Sequence, residues 1–186
     1  LYSNKLKALP AELFQLPLAH LDVSDNLLTV IPTPLNSIAS TMRVLNLAKN
    51  QLKQLPYNLL HQADNLEGIF IKQKDIQPFN RLTKLDLSQN KLTELPDMFS
   101  ELGSTLTSLD ISNNLLVSMP HSSAALASLM TFNASNNKFE SFTTVGHMRG
   151  LEILNLEGND LIMELPRGFV ELSRLNELVL SQVRLS

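Results

Sequence analysis

Four histidines, a column of aspartates and a recurrent serine are the residues of this chain that could bind a metal or attack a substrate. His20, His61, His121 and His147 are scattered, and none belongs to an HxxxH or HExxH arrangement. Without ligand spacing of that kind a histidine reads as a solvated side chain rather than a metal ligand. Asp22, Asp86 and Asp110 occupy one repeated slot, where paired carboxylates would suggest calcium or acid–base work. Asn46, Asn133 and Asn155 fill the same slot elsewhere, however, so the column is read as a recurring polar position of the repeat rather than as a site. Ser24, Ser88, Ser112, Ser135 and Ser181 also recur at one position, without the GxSxG elbow that would expose a nucleophile. There is no glycine-rich phosphate loop, since Gly146 and Gly150 flank an ordinary connecting arm. The chain is therefore read as non-catalytic, with no cofactor and no metal.

The elements that carry these residues come from a repeat of the form LxxLxLxxNxL. It appears as LAHLDVSDNLL from Leu18, MRVLNLAKNQL from Met42, LTKLDLSQNKL from Leu82, LTSLDISNNLL from Leu106, LMTFNASNNKF from Leu129 and LEILNLEGNDL from Leu151. LEGIFIKQKDI from Leu66 and LNELVLSQVRL from Leu175 are weaker copies, and LYSNKL at the start is the tail of another. With the first leucine as position 1, positions 4 and 6 alternate with polar neighbours, the period-2 mark of a strand with one buried face. The asparagine at position 9 (Asn26, Asn50, Asn90, Asn114, Asn137, Asn159) is expected to stack as a buried ladder. Its amide can pair with the backbone groups that a turn leaves open.

From Asn26 to Asn50, and from Asn90 through Asn114 and Asn137 to Asn159, the asparagines are 22–24 residues apart, a period that signals a solenoid. After the asparagine most copies run LxxLP, as at Leu6–Pro10, Leu52–Pro56 and Leu92–Pro96, and proline stops strand geometry there. The eight to ten residues that follow suit a 3₁₀ or extended arm. The rhythm breaks at the copy from Leu66. Its position 9 is Lys74, only 16 residues before Asn90, and only Gln77–Arg81 separates Ile76 from Leu82. The arm is expected to be abbreviated there, or the sequence joined across a missing segment.

Composition narrows the class further. The net charge of −3 gives no reason to expect nucleic acid or a membrane surface as partner. Apolar residues are spaced rather than continuous, so no stretch reaches the roughly 20 needed to span a bilayer. The chain has no cysteine, which favours a cytoplasmic location, because secreted domains lean on disulfides. Asn133-Ala134-Ser135 is a formal glycosylation acceptor, read here as repeat consensus. Residues 1–186 are expected to form a single repeat domain, a piece of a longer chain because it opens within a motif.

The repeated LxxLxLxxNxL strings and their LxxLP tails resemble the leucine-rich-repeat superfamily. In particular they resemble its intracellular class, found in Scribble, Erbin, Ras-binding scaffold proteins and Roco kinases. The resemblance implies an α/β solenoid of about eight repeats, a right-handed coil. It would carry a concave parallel sheet and a convex side of irregular, 3₁₀ or short helical segments. It also implies a protein-binding scaffold acting through the concave face. Two alternatives are a sensor or autoregulatory module of a larger signalling enzyme (a GTPase–kinase or a ubiquitin ligase) and an extracellular receptor ectodomain.

Departures from the repeat mark the expected contacts. Phe70 replaces the usual Asp or Asn at position 5, Val44 is apolar at position 3, and Lys49, Lys72 and Lys84 surround them. An aromatic with basic neighbours suits an acidic or phosphorylated protein segment. A second patch combines Ile153 and Val179 with Glu152, Glu157 and Glu177.

Overall fold

The computed structural model describes residues 1–32, 41–56, 81–97, 99–162 and 164–183. Its frame is one sheet of seven parallel three-residue strands, each neighbouring the next in chain order. These are β1 (His20–Asp22), β2 (Val44–Asn46), β3 (Lys84–Asp86), β4 (Ser108–Asp110), β5 (Thr131–Asn133), β6 (Ile153–Asn155) and β7 (Glu177–Val179). Pairing is in register, so repeat position 4 sits beside position 4 throughout: Leu21, Leu45, Leu85, Leu109, Phe132, Leu154 and Leu178. Parallel strands need a crossover. Here it runs through 3₁₀ segments at Ala11–Gln15, Phe99–Leu102, His121–Ala125, Thr143–His147 and Arg167–Glu171.

Sequence explains both halves of each coil. Position 4 and 6 side chains point inward and are buried from Leu21 and Val23 through Leu154 and Leu156. Their row forms the core, joined by position 11 and 14 residues such as Leu52, Leu95 and Phe139. Proline starts three of the arms. Pro10, Pro120 and Pro166 are extended, and their carbonyls accept from the N–H groups of Leu13, Ser123 and Phe169 at 3.0–3.1 Å. Pre-set φ and a missing donor make proline suited to that corner.

The asparagine ladder forms as the sequence predicts. Asn114 is representative: its Oδ1 accepts from Leu92 N–H at 3.0 Å, and its Nδ2 donates to the carbonyls of Leu87, Ile111 and Ser112. Each rung ties its own turn to the coil before it, from Asn26 with Leu1 and Leu6 to Asn159 with Ala134 and Phe139. Residue 8, just ahead of each rung, takes a left-handed conformation: Asp25, Lys49, Gln89, Asn113, Asn136, Gly158 and Gln182 have φ of 52–68°. Ser3 at 51° belongs to the same column.

One expectation is corrected at the third copy. β2 pairs directly with β3, Val44 beside Lys84 and Asn46 beside Asp86. Asn90 Nδ2 donates to Leu47 O at 3.0 Å and its Oδ1 accepts from Leu52 N–H, the bonds a rung makes to the preceding coil. No strand therefore stands between β2 and β3, and the 16-residue spacing does not measure a coil. The interval between these neighbouring rungs is the 40 residues from Asn50 to Asn90. Phe70, Lys72, Lys74 and most of Gln77–Arg81 lie outside the described residues. A repeat count of about eight still holds, because the opening turn stacks as a unit: Ser3 and Asn4 N–H donate to Ser24 and Asp25 carbonyls.

Two smaller differences appear near the C-terminal end. Leu161 is 43% exposed and Ile162 fully buried, so Ile162 fills the position 11 pocket through a one-residue insertion after Asn159. Val183, in place of an asparagine, has no amide for the coil before it. Ile162 N–H accordingly closes on Asn159 O within its own turn at 3.2 Å. Rungs bond backwards, so the group that Val183 leaves without an amide lies in the preceding turn.

Candidate protein-interaction face

The outward-facing side chains of the sheet form rows because the strands are in register. Position 3 runs His20, Val44, Lys84, Ser108, Thr131, Ile153, Glu177. Position 5 runs Asp22, Asn46, Asp86, Asp110, Asn133, Asn155, Val179.

Position 5 is structural. Each Asp or Asn accepts, at 2.9–3.2 Å, the N–H two residues on: Ser24, Ala48, Ser88, Ser112, Ser135 and Glu157. A short polar side chain closing its own turn in this way explains why the slot is almost always Asp or Asn. Asn133 also donates from Nδ2 to Asp110 Oδ2 at 3.0 Å, so both ends of its amide are engaged. Among the described residues no group of three histidine or carboxylate side chains is placed to hold a metal ion.

Environment separates two of the carboxylates. Burial pushes the Asp86 carboxyl above its usual value, with Asp110 and Asp22 adding repulsion against the Ser88 hydrogen bonds. Burial acts upward on Asp22 as well, but the Ser24 hydroxyl and N–H and the Asn46 amide outweigh it, and the net shift is downward. A raised folded-state pKa means Asp86 favours the fold fully below its unfolded value, a contribution lost as pH rises through the folded one. Asp86→Asn keeps an oxygen for Ser88 N–H, as Asn46 does for Ala48. The variant should melt at a slightly higher temperature than the parent at pH 7. That gain should shrink towards pH 3, and a lower melting temperature at pH 7 would contradict the assignment.

The predicted contacts fall into separate places. Val44 is half-buried and shares its row with exposed Lys84, and Arg43 precedes it at position 2. Lys49 is exposed at the left-handed turn, off the strand, and is not in the Val44–Lys84 row. Ile153 and Val179 are half-buried on adjacent strands β6 and β7. Sequence reasoning missed Met130, 40% exposed at position 2 beside them. A methionine in a slot otherwise holding Ala19, Arg43, Thr83, Thr107, Glu152 and Asn176 is the signal that the sequence carries for it.

Comparison with known proteins agrees with this geometry. The leucine-rich-repeat family model matches residues 80–139 and 104–161. A leucine-rich-repeat protein from Leptospira interrogans superposes over 98% of this chain and 42% of its own, with TM-score 0.82 and 28% identity. This chain is a leucine-rich-repeat solenoid. Among relatives, the leucine-rich repeat serine/threonine-protein kinase 1 of Caenorhabditis elegans is 32% identical over 99 residues, 52% of this chain. Fibromodulin from Sus scrofa is 34% identical over 79 residues, 39% of this chain. The leucine-rich-repeat segment covers 4% of the kinase and 52% of fibromodulin. No helix among the described residues is long and apolar enough to cross a membrane.

Proposed function

We propose that this leucine-rich-repeat segment is a non-catalytic protein-binding scaffold of the cytoplasm, engaging its partner through the exposed sheet face. One observation carries the reading. Positions 4 and 6 of each strand are apolar in every repeat that forms the sheet. Position 3, just before them, holds a different residue at every strand, from His20 to Val44, Lys84, Ser108, Thr131, Ile153 and Glu177. A frame that keeps its buried residues and varies its exposed ones presents a surface for recognition. Val44 with Lys84, and Ile153 with Val179, are the proposed contacts. An acidic or phosphorylated segment would meet Lys84 and Arg43, a pole tempered by Asp22 on β1 and Asp86 on β3. The absence of cysteine supports the compartment.

The test is a peptide-display selection on the purified segment, with each binder re-measured on Val44→Asp, Lys84→Glu and Ile153→Asp. Binders of the sheet face should weaken at least about tenfold on one of the three, roughly the loss of a central interface contact. Binders indifferent to all three would move the site to the connecting arms.

A second reading has its own support. The stretch shared with a kinase of C. elegans suits a regulatory module of a larger signalling enzyme, with the sheet face binding that enzyme's own domains.

A further inference from the structure

We infer that the carboxy-terminal third of the sheet face is a docking surface for a basic amphipathic segment of a protein partner, an inference that rests on the protein-binding reading above. Met130 at position 2 of its repeat immediately precedes β5, Ile153 at position 3 opens β6, and Val179 at position 5 ends β7. The register therefore sets them in a diagonal apolar stripe across three neighbouring strands. The stripe is continuous at the backbone as well, because Glu152 and Ile153 N–H both donate to Met130 O at 2.9 and 3.0 Å. Glu152 and Glu177 flank Ile153 on the same strands, and Glu157 lies just past β6.

Sign is uniform here. At the exposed and half-buried side chains of positions 2, 3, 5, 7 and 8 of these three coils, the charged residues are Glu152, Glu157 and Glu177. None is a cation. Of the two arginines just ahead of these strands in the chain, Arg149 is paired at 3.5 Å with Glu171 of a 3₁₀ arm, and exposed Arg174 precedes the repeat positions that form the face. At the other end of the sheet Arg43 and Lys84 are offset by Asp22 and Asp86, so no comparable single-sign field exists there. Charge complementarity therefore selects a cationic partner, and the apolar stripe selects one with an aliphatic side chain among its cations. Strands about 4.8 Å apart make the stripe roughly 10 Å wide, the reach of about three extended residues. One leucine-like side chain with a lysine or arginine on either side fits that span.

Three synthetic peptides test this by fluorescence anisotropy on the intact segment. One carries lysines around leucine, the second has every lysine replaced by glutamate, and the third has leucine replaced by serine. The lysine–leucine peptide should bind, and the other two at least about tenfold more weakly. Ile153→Asp separates docking from bulk attraction. It makes the protein more acidic, so charge alone predicts tighter binding, whereas loss of the stripe predicts at least about tenfold weaker binding. Glu152→Lys with Glu177→Lys should weaken the lysine–leucine peptide and favour the glutamate one, and thermal melting confirms that each variant folds. Tighter or unchanged binding on Ile153→Asp, equal binding of all three peptides, or binding by none would overturn the inference. Preference for the glutamate peptide, lost on Lys84→Glu, would overturn it while leaving the sheet face as the binding surface. Binding lost only on Leu115→Asp, at an exposed turn off the sheet, would overturn both.

Discussion

Replacing Asn114 by alanine should lower the unfolding free energy by about 3 kcal/mol, since several buried backbone groups lose their partner at once. The side chain is 5% exposed and sits in the middle of the stack. Its removal strands Leu92 N–H and takes a donor from the carbonyls of Leu87, Ile111 and Ser112. No water can replace an amide there without opening the turn. In a solenoid each coil leans only on its neighbours, so the damage includes the coupling between coils as well as one turn. Asn4 supplies the control. It makes the same local bonds, to Leu1 and Tyr2 carbonyls, but is exposed, and its alanine variant should cost under about 1 kcal/mol. Chemical denaturation of the two variants followed by circular dichroism reads the difference. Equal losses at Asn4 and Asn114 would mean that the ladder is not what holds adjacent coils.

Phe142→Ala should be the most damaging single truncation, at about 4 kcal/mol, within the range for a fully buried phenylalanine. Phe142 is 1% exposed and packs against two other rings. Its ring centroid is 4.6 Å from Phe139, edge-on at 65°, and 5.8 Å from Phe132. This coil is also the one in which Thr143 stands where others have proline, and Phe142 itself caps the 3₁₀ arm with φ −132° and ψ 48°. Aromatic packing thus does the cornering that a pre-set proline performs at Pro120. Phe142→Leu restores the residue found at Leu55 and Leu95 and should cost only about 1–2 kcal/mol, the residual void being smaller. Thermal unfolding of both variants decides, and an alanine loss no larger than the leucine loss would show that the site collapses around the cavity.

Much of this fold was legible because its rules are local. Alternation at Leu21 and Val23 shows a strand in five residues, and an asparagine after such a strand needs only its own turn to be recognised. Stacking is not local, and that is where the reading failed. LEGIFIKQKDI has leucine-like spacing at most of its positions, yet Asn90 reaches past it to Leu47 and Leu52. Spacing alone could not reveal which coil a rung would choose. The 40-residue interval from Asn50 to Asn90, close to a period plus a remainder, was the available clue. Leu161 failed for a related reason: motif matching assigned it to the core, and a one-residue insertion gave that pocket to Ile162.

The left-handed column was invisible for a different reason. Aspartate, lysine, glutamine, asparagine and glycine share no chemistry that announces a positive φ, although Asn113, Asn136 and Gly158 belong to the types that accept it most readily. On the interaction face, Ile153, Val179 and their glutamates were legible as departures from consensus. Their union with Met130 was not, because a diagonal across three strands exists only once register is known.

The direct seam between β2 and β3 also says something about how such a chain can change. Register and rungs close over the interval between Pro56 and Leu82 as though the surplus residues were absent. Loop-closure entropy grows only slowly with length, so lengthening the connection between two coils already paired adds little cost. The seam is consequently a natural docking bay for grafted sequence. An epitope, a cleavage cassette or a small guest domain inserted there would ride on the solenoid without any coil having to re-pair.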